Sequence, residues 1–309
     1  MLVIRTSETD HNCAEIMRLF TTSEAAEYLR LKERKIYELI AEGAIPCTKV
    51  TGKWLFPQDE LDHWLTRSLH RPKDLPPREP MPIVAGSHDP LLEWCLRESG
   101  SGLASLAEGS EAGLARFADG RLVACAIHLH TLEDDGDPNV AALQRHSTFH
   151  DTILIAFARR EQGFLIAPGN PLRIETVRDV VARKAQMAMR PQGAGAQLLL
   201  ESLLHKGGLD FEQLSVVLPR CPTGPDIAQA INAGRADCGI ATRSVAQAAR
   251  LAFVPITWER FDLAIRLRCY FQKPLQALLN FLRTPAFAQR AAEFGGYDVS
   301  DAGSVRRAP

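Results

Sequence analysis

The sequence predicts an α/β protein in two unequal parts, a small mixed head followed by a larger body of two similar lobes. Five prolines crowd the segment from Pro72 to Pro82, which cannot sustain a helix and favours an extended spacer. Beyond it, short apolar strands alternate with helices, as in folds with mainly parallel sheets. A helix–Gly-Arg–strand unit also occurs twice, at Gly120-Arg121 and at Gly234-Arg235, which favours two lobes.

Length and composition restrict the class of protein. The chain has 309 residues, and this length predicts two or three folded units. Its hydrophobic content of 46% and its near balance of 36 Lys and Arg against 37 Asp and Glu exclude disorder for most of the chain. No apolar run approaches the roughly 20 residues of a membrane span, and Glu8 and Asp10 interrupt any signal peptide. We therefore expect a cytoplasmic protein without membrane contact. Seven scattered cysteines without a C-x-x-C pair are expected to be buried thiols rather than disulfides or zinc ligands.

The head reads as two helices, a hairpin and a third helix. Thr21 and Glu24 have the spacing of a capping box that begins the first helix. The second helix is predicted at about 33–42, with Gly43 as its end. A hairpin is predicted at 48–56, and the third helix follows Pro57.

Cations cluster in the middle of this head. Lys32 and Lys35 project from the beginning of the second helix, where recognition helices touch DNA, while Lys49 and Lys53 flank the hairpin turn. The pattern predicts a surface that binds double-stranded DNA. A solvated charged face of a small helical domain is the alternative interpretation of the same residues.

The run from Leu19 to Leu65 resembles the winged helix–turn–helix of the MerR/excisionase class over nearly its whole length. The resemblance rests on the Thr21 cap, on Ile36-Tyr37, on Gly43 to Pro46 and on Gly52-Lys53-Trp54. Together with the cations it implies this set of DNA-binding residues: Lys32, Arg34, Lys35, Tyr37, Lys49, Lys53 and Trp54. Arg30 and Lys32 depart from the class, which usually has Gly at the turn and Ser as the cap there.

Glycine loops open several helices of the body. Helix N-termini after such loops present free backbone N–H groups and the positive end of the dipole, which suit a small anion. A single loop of this kind is more often a simple cap, so their repetition at successive strand ends is the informative feature. The candidate ligand-binding residues are Ser87, His88, Ser110, His128, Arg190, Gly193, Ala194 and Thr223.

From Pro82 to about Phe261 the chain is similar to the periplasmic-binding-protein-like domain that cytoplasmic regulators fuse to helix–turn–helix heads. The stretches that carry the likeness are 83–96, 108–130, 161–171, 224–241 and 251–265. Molybdate- and tungstate-binding transport proteins are relatives of that domain, so the resemblance implies an oxyanion as ligand. The loop Met189–Gln197 keeps Arg190 and two glycines but lacks the two hydroxyls and the terminal Arg common in the family. This departure favours a small organic acid.

The sequence gives no support to catalysis, a cofactor or a metal. Ser87-His88-Asp89 are adjacent and cannot adopt the geometry of a catalytic relay. No phosphate-loop or dinucleotide fingerprint is present. His88 and His128 could contact a ligand, or His88 could be a cap and His128 structural. A metal site at His128 and His130 is disfavoured because no third ligand is evident.

We therefore expect a ligand-responsive transcriptional regulator that binds DNA and a small anion and works as a homodimer or higher oligomer. The alternative is a soluble small-ligand-binding or accessory protein whose head docks on protein. The predicted boundaries are a tail at 1–19, the winged helix–turn–helix at 20–69, a linker at 70–81 and the sensor at 82–309. Within the sensor, one lobe is predicted at about 82–163 plus 260–309 and the other at about 164–259. The chain is expected to cross between the lobes near Phe164 and Glu259. The polar segment 298–309 is expected to be a disordered tail.

Overall fold

The computed structural model describes residues 18–67, 79–130, 136–145, 147–149 and 151–308. The chain divides into two compact units, residues 1–77 and residues 78–309. Most of the predicted N-terminal tail and most of the predicted linker lie outside the described residues.

The head has three helices and a three-stranded antiparallel sheet in its described residues. In chain order they are β1 (Leu19–Thr21), α1 (Thr22–Tyr28), α2 (Glu33–Ala41), β2 (Thr48–Val50), β3 (Lys53–Pro57) and α3 (Gln58–Arg67). The predicted hairpin is confirmed as β2–β3, and the sequence missed β1, which pairs with β3 on the side away from β2. Its core holds Phe20, Ala25, Ile36, Phe56 and Leu61.

The beginning of α1 follows the sequence prediction closely. The Thr21 hydroxyl accepts a hydrogen bond from the Glu24 amide at 3.4 Å, and the Glu24 carboxylate accepts one from the Thr21 amide at 2.8 Å. The predicted capping box is confirmed. It satisfies backbone donors that the first turn of a helix cannot pair internally.

The end of α1 shows the effect of having Arg30 where the related class has glycine. The Leu31 amide bonds to the Ala26 carbonyl and the Arg30 amide to the Glu27 carbonyl, which is the Schellman pattern. That pattern places Arg30 in the left-handed region, with φ of 54°. A side chain with a Cβ is strained there, so this helix end stores an unfavourable conformation.

We predict that Arg30→Gly stabilises the head by about 1 kcal/mol, because glycine adopts a positive φ without that strain. Amide hydrogen exchange of α1 and α2 in the full chain measures the effect. Arg34→Gly is the matched control, since it places the same substitution inside α2, where it is expected to cost about 1 kcal/mol. Equal destabilisation by both variants would contradict the account of the Arg30 turn.

The second unit begins with alternating strands and helices: β4 (Met81–Gly86), α4 (Pro90–Glu98), β5 (Ala104–Ala107), α5 (Ser110–Ala118), β6 (Leu122–Ile127) and α6 (Pro138–Arg145). Its middle part comprises β7 (Thr152–Ile166), α7 (Val177–Ala182), β8 (Gln186–Ala188), α8 (Gly195–Gly207), β9 (Ser215–Val217), α9 (Gly224–Asn232), β10 (Cys238–Thr242), α10 (Arg243–Ala248) and β11 (Ala252–Arg266). Its last part comprises α11 (Leu267–Tyr270), α12 (Lys273–Phe281), α13 (Pro285–Phe294), β12 (Tyr297–Asp298) and β13 (Val305–Arg307). Two 3-10 turns lie at Ser147–Phe149 and Phe211–Gln213.

One curled sheet runs through this unit in the order β5-β4-β6-β11-β7-β10-β8-β9. Strands β4, β5 and β6 are mutually parallel, as are β8, β9 and β10, while the 15-residue strands β7 and β11 pair antiparallel between these groups. We call the part built on β4–β6 the first lobe and the part built on β8–β10 the second lobe. The predicted α/β class, a small head with a two-lobed body, is confirmed.

Each lobe has its own apolar core. The first lobe buries Leu91, Phe157, Phe261 and Leu278 together, and the second buries Phe164, Met187, Leu200 and Ile240. Strand β7 supplies Phe157 to one core and Phe164 to the other. The long strands are therefore packed at both ends and cross from lobe to lobe between Phe157 and Phe164.

The prediction of a disordered tail after Tyr297 is wrong. Strand β12 pairs with β7 at Arg160 and Arg159, and β13 pairs with β7 at Ile155 and Leu154. The physical reason is the edge of β7: β10 covers only 162–166 of it, and the remaining N–H and C=O groups need partners. The sequence analysis missed this pairing because the segment 298–309 is polar and shows no apolar strand pattern.

Candidate functional site

A buried arginine lies where the two lobes meet. Arg160 on β7 is 1% exposed, and its guanidinium lies 4.2 Å from the centre of the Phe261 ring. Its Nε donates to Glu259 Oε1 at 2.6 Å and its Nη1 donates to Asp89 Oδ2 at 2.8 Å. Burying a cation is costly unless it is paired, and here two carboxylates pair with one guanidinium.

Both carboxylates have further donors. Glu259 accepts from Gln162 Nε2 at 2.9 Å and contacts His130 Nε2 at 2.8 Å. Burial opposes ionisation of Glu259, but the Arg160 guanidinium and the hydrogen bond to His130 outweigh it and hold the pKa of Glu259 below the ordinary value. Asp89 caps α4 and accepts from the Tyr297 hydroxyl at 2.9 Å, and that hydroxyl also lies 3.1 Å from Ser244 Oγ on α10. The network therefore joins both lobes and the C-terminal strands.

A small cavity of about 20 Å³ lies beside this network. Its lining comes from both lobes: Ser87, His88, Pro90, His128, Arg160, Gln162, Arg190, Gly195, Ala196, Gly224, Ala241, Thr242 and Val245. Drug-sized ligands need several hundred Å³, whereas a single water needs about 10–15 Å³ on this measure. The cavity is therefore only slightly larger than the space of one water molecule, which excludes drug-sized ligands.

Arg190 is the second arginine at this cavity and differs from Arg160. It is 9% exposed, and among the described residues it has no ion pair and no hydrogen-bond partner for its buried Nε. The nearby Asp226 carboxylate accepts from the amide and hydroxyl of Thr223 instead. Burial, with repulsion from Arg160, lowers the pKa of Arg190 to about 10. A buried cation that is not paired with a carboxylate among the described residues attracts an anion.

Helix α8 points an uncapped N-terminus at the same cavity. Its first residue, Gly195, follows Ala194, whose side chain cannot cap a helix. The amides of Gln197 and Leu198 bond back to the Ala194 carbonyl, whereas those of Gly195 and Ala196 have no partner within the described chain. These two N–H groups and the dipole of a 13-residue helix favour negative charge.

Histidine side chains complete the wall of the cavity. His128 is 3% exposed, and both of its ring nitrogens are without a hydrogen bond within the described residues. Burial, reinforced by Arg160, holds the pKa of His128 well below the ordinary value, so the ring is neutral at physiological pH. His88 lies 3.4 Å from Glu93, and burial also lowers its pKa. Ser87 Oγ has no hydrogen bond in the described structure and lines the cavity.

The predicted ligand residues divide into two groups. Ser87, His88, His128 and Arg190 line the cavity, whereas Ser110, Gly193, Ala194 and Thr223 do not. Ser110 Oγ donates to the His128 carbonyl at 3.0 Å and accepts from the His128 amide at 3.1 Å, so it positions His128. Thr223 caps α9. Gly193 and Ala194 precede α8 and pack against the loop at Gly109, which brings the glycine loops of both lobes together.

Sequence reasoning missed the polar residues of the long strands. Arg160, Gln162 and Glu259 lie within predominantly apolar strands, and their buried side chains meet where β7 and β11 cross. The sequence signal that could have revealed them is the presence of Arg160 and Gln162 inside a predominantly apolar strand. Among the described residues, no cluster of three or more potential ligands is arranged to hold a metal ion.

The head exposes the side chains predicted to touch DNA. Lys32, Arg34, Lys35 and Tyr37 are exposed at the beginning and middle of α2, and Lys49 Nζ lies 5.1 Å from the centre of the Trp54 ring. Arg34 and Lys35 share Glu38, at 3.3 and 3.2 Å, in surface pairs that contribute little stability. Lys53 begins β3 next to the turn at Thr51-Gly52 and is exposed.

Family models match both parts of the chain. The model of the PBP superfamily domain matches residues 95–283, and that of a helix-turn-helix domain matches residues 19–68. The chain therefore belongs to the PBP superfamily and carries a helix-turn-helix domain at its head. Both expected resemblances, to a helix–turn–helix head and to a periplasmic-binding-protein-like body, are thus confirmed. No described helix combines the length and apolar character that crossing a bilayer requires.

Individual relatives are distant. The uncharacterized protein YvgK of Bacillus subtilis (strain 168) is 23% identical over 304 residues, which cover 93% of this chain and 97% of that protein. Among solved structures, the sulfate-binding protein SubI of Mycobacterium tuberculosis H37Rv is similar with a TM-score of 0.48 at 17% identity, over 70% of this chain and 84% of that one. The tungstate ABC transporter of Geobacter sulfurreducens is similar with a TM-score of 0.48 at 13% identity, over 68% of this chain and 97% of that one.

We predict that Gly195→Ala damages the cavity. A Cβ at this position would overlap the His128 ring and carbonyl, so the wall must shift, at a cost of about 1–3 kcal/mol. Gly207→Ala is the matched control, since a Cβ at the other end of α8 meets only side-chain atoms at 3.4 Å or more. Thermal unfolding of the full chain measures both. Equal melting temperatures for the two variants would show that α8 does not pack on His128 as described.

Proposed function

We propose that the chain is a ligand-responsive, DNA-binding transcriptional regulator whose body senses a small anion, an oxyanion or a small organic acid, between its two lobes. The observation that carries the proposal is Arg190, a buried cation that has no ion pair among the described residues and lies beside the Gly195 and Ala196 amides, which also have no partner there. Arg160 is neutralised by Asp89 and Glu259, so the attraction for an anion is centred on Arg190 and α8.

The position of the cavity supports a sensing role. We place the lobe boundaries at about 163/164 and 259/260, so that Ser87 and His128 belong to the first lobe and Arg190 and Gly195 to the second. A ligand that contacts both lobes binds the closed arrangement more tightly than the open one. Only such differential affinity can shift a conformational equilibrium. In a symmetric homodimer, closure would alter the placement of the paired heads on two DNA half-sites.

We predict that Arg190→Met abolishes or weakens anion binding at least tenfold, because the buried cation is the principal charge available to the ligand. Isothermal titration calorimetry of the full chain with phosphate, sulfate, molybdate, tungstate and small carboxylates finds the ligand and then compares the variants. Arg183→Met, which removes an exposed arginine of the same lobe, is the control. Full retention of anion binding by Arg190→Met would place the ligand elsewhere.

For the head, we predict that replacing both Lys35 and Lys53 with Ala weakens DNA binding and reduces the slope of log affinity against log salt by about 2. Fluorescence anisotropy on a labelled duplex from its own promoter region, across a salt series, measures affinity and slope together. Lys273→Ala, an exposed lysine of the body, should change neither. A binding curve independent of salt would instead favour a head that docks on protein.

A further inference from the structure

We infer that the anion held between the lobes must itself carry a hydrogen-bond donor, as hydrogen phosphate or a small hydroxycarboxylate does, and that Gln162 selects it by accepting from that hydroxyl. This inference rests on the proposed anion site and specifies its ligand class. It distinguishes ligands of equal charge by the presence of a hydroxyl.

The first step is the state of the Gln162 side chain. Gln162 is 2% exposed, lies on β7 at the lobe crossing and lines the cavity. Its Nε2 donates to Glu259 Oε1 at 2.9 Å, whereas its Oε1 is buried and has no partner within the described residues. A buried acceptor without a donor costs free energy, which a ligand that supplies the donor recovers.

The second step is the orientation of that amide. Turning it over would place Oε1 against the ionised Glu259 carboxylate, so that two acceptors face each other and the hydrogen bond from Nε2 to Glu259 is lost. Glu259 is held in position by Arg160 at 2.6 Å and by His130 at 2.8 Å. The network therefore fixes Gln162 with its amide oxygen free.

The third step is a second acceptor on the same wall. A neutral imidazole has one donor and one acceptor nitrogen. His128 Nε2 lies 3.7 Å from Glu259 Oε1, beyond hydrogen-bonding distance, and neither ring nitrogen has a hydrogen bond in the described structure. The cavity thus combines donors, on Arg190, Gly195 and Ala196, with acceptors on Gln162 and His128. A matching ligand has both an anionic oxygen and a hydroxyl.

This pattern discriminates among small anions. At neutral pH sulfate and molybdate carry only acceptor oxygens, so one of them would lie against Gln162 Oε1 without a hydrogen bond. Hydrogen phosphate and glycolate can donate there. Sites built to bond a hydroxyl reject analogues that lack it, because the buried partner is left unpaired. We expect a preference of at least tenfold.

The test uses matched pairs of ligands on the full chain at pH 7, measured by calorimetry: phosphate against sulfate and molybdate, and glycolate against acetate. At least tenfold tighter binding of phosphate or of glycolate than of its partner supports the inference. The pair that shows this preference identifies whether the ligand is an inorganic oxyanion or a hydroxycarboxylate. If, in every pair that binds, the ligand without a hydroxyl binds at least as tightly as its hydroxyl-bearing partner, the inference is overturned and the anion site still stands. Failure of all five to bind overturns both.

A pair of variants assigns the preference to one side chain. Gln162→Met should reduce the preference of the wild-type chain to within about threefold, because the acceptor is gone. Gln197→Met is the matched control, since Gln197 is also a buried glutamine with an unpaired Oε1 but does not line the cavity. Retention of the full preference by Gln162→Met contradicts the assignment. The ligand comparison on the wild-type chain decides the inference if Gln162→Met does not fold.

Discussion

The pairing of Arg160 with Asp89 and Glu259 is the constraint on which the site depends. A guanidinium that is 1% exposed is costly to bury without counter-charges, and the carboxylates of Asp89 and Glu259 pair with it. Neither carboxylate pairs with Arg190, which is buried and has no ion pair among the described residues, although Asp226 lies nearby. The same pairing orients Gln162 through Glu259 and so determines which face of its amide meets a ligand.

The long strands connect this charge network to both lobes of the second unit. Strands β7 and β11 each belong to both lobes, and the network forms where they cross. A solute there contacts groups from both sides, and Tyr297 extends the network from Asp89 to Ser244 on α10. Under the proposed function, a solute bound here would favour one relative position of the lobes, which is the physical requirement for a sensor.

Short-range signals in the sequence were sufficient to predict most elements of the head and the glycine loops of the body. The Thr21–Glu24 capping box, the Gly52 turn and the loops at Gly86 and Gly109 depend on a few adjacent residues, and the structure shows each of them. The charge network could not be predicted in this way, because Arg160 and Glu259 are 99 residues apart and meet only through strand pairing. Pairing also explains β1 and the C-terminal strands, whose polar or short sequences carry no periodic signal.

The most direct test of the central claim is a crystal structure of the full chain with arsenate, a hydroxyl-bearing oxyanion, using anomalous scattering at the arsenic edge. The account predicts an arsenic peak in the interlobe cavity, with oxygens within hydrogen-bonding distance of the Arg190 guanidinium and of the Gly195 or Ala196 amide, while Arg160 stays bonded to Asp89 and Glu259. An empty cavity at saturating arsenate, or Arg190 paired with a protein carboxylate, would contradict it.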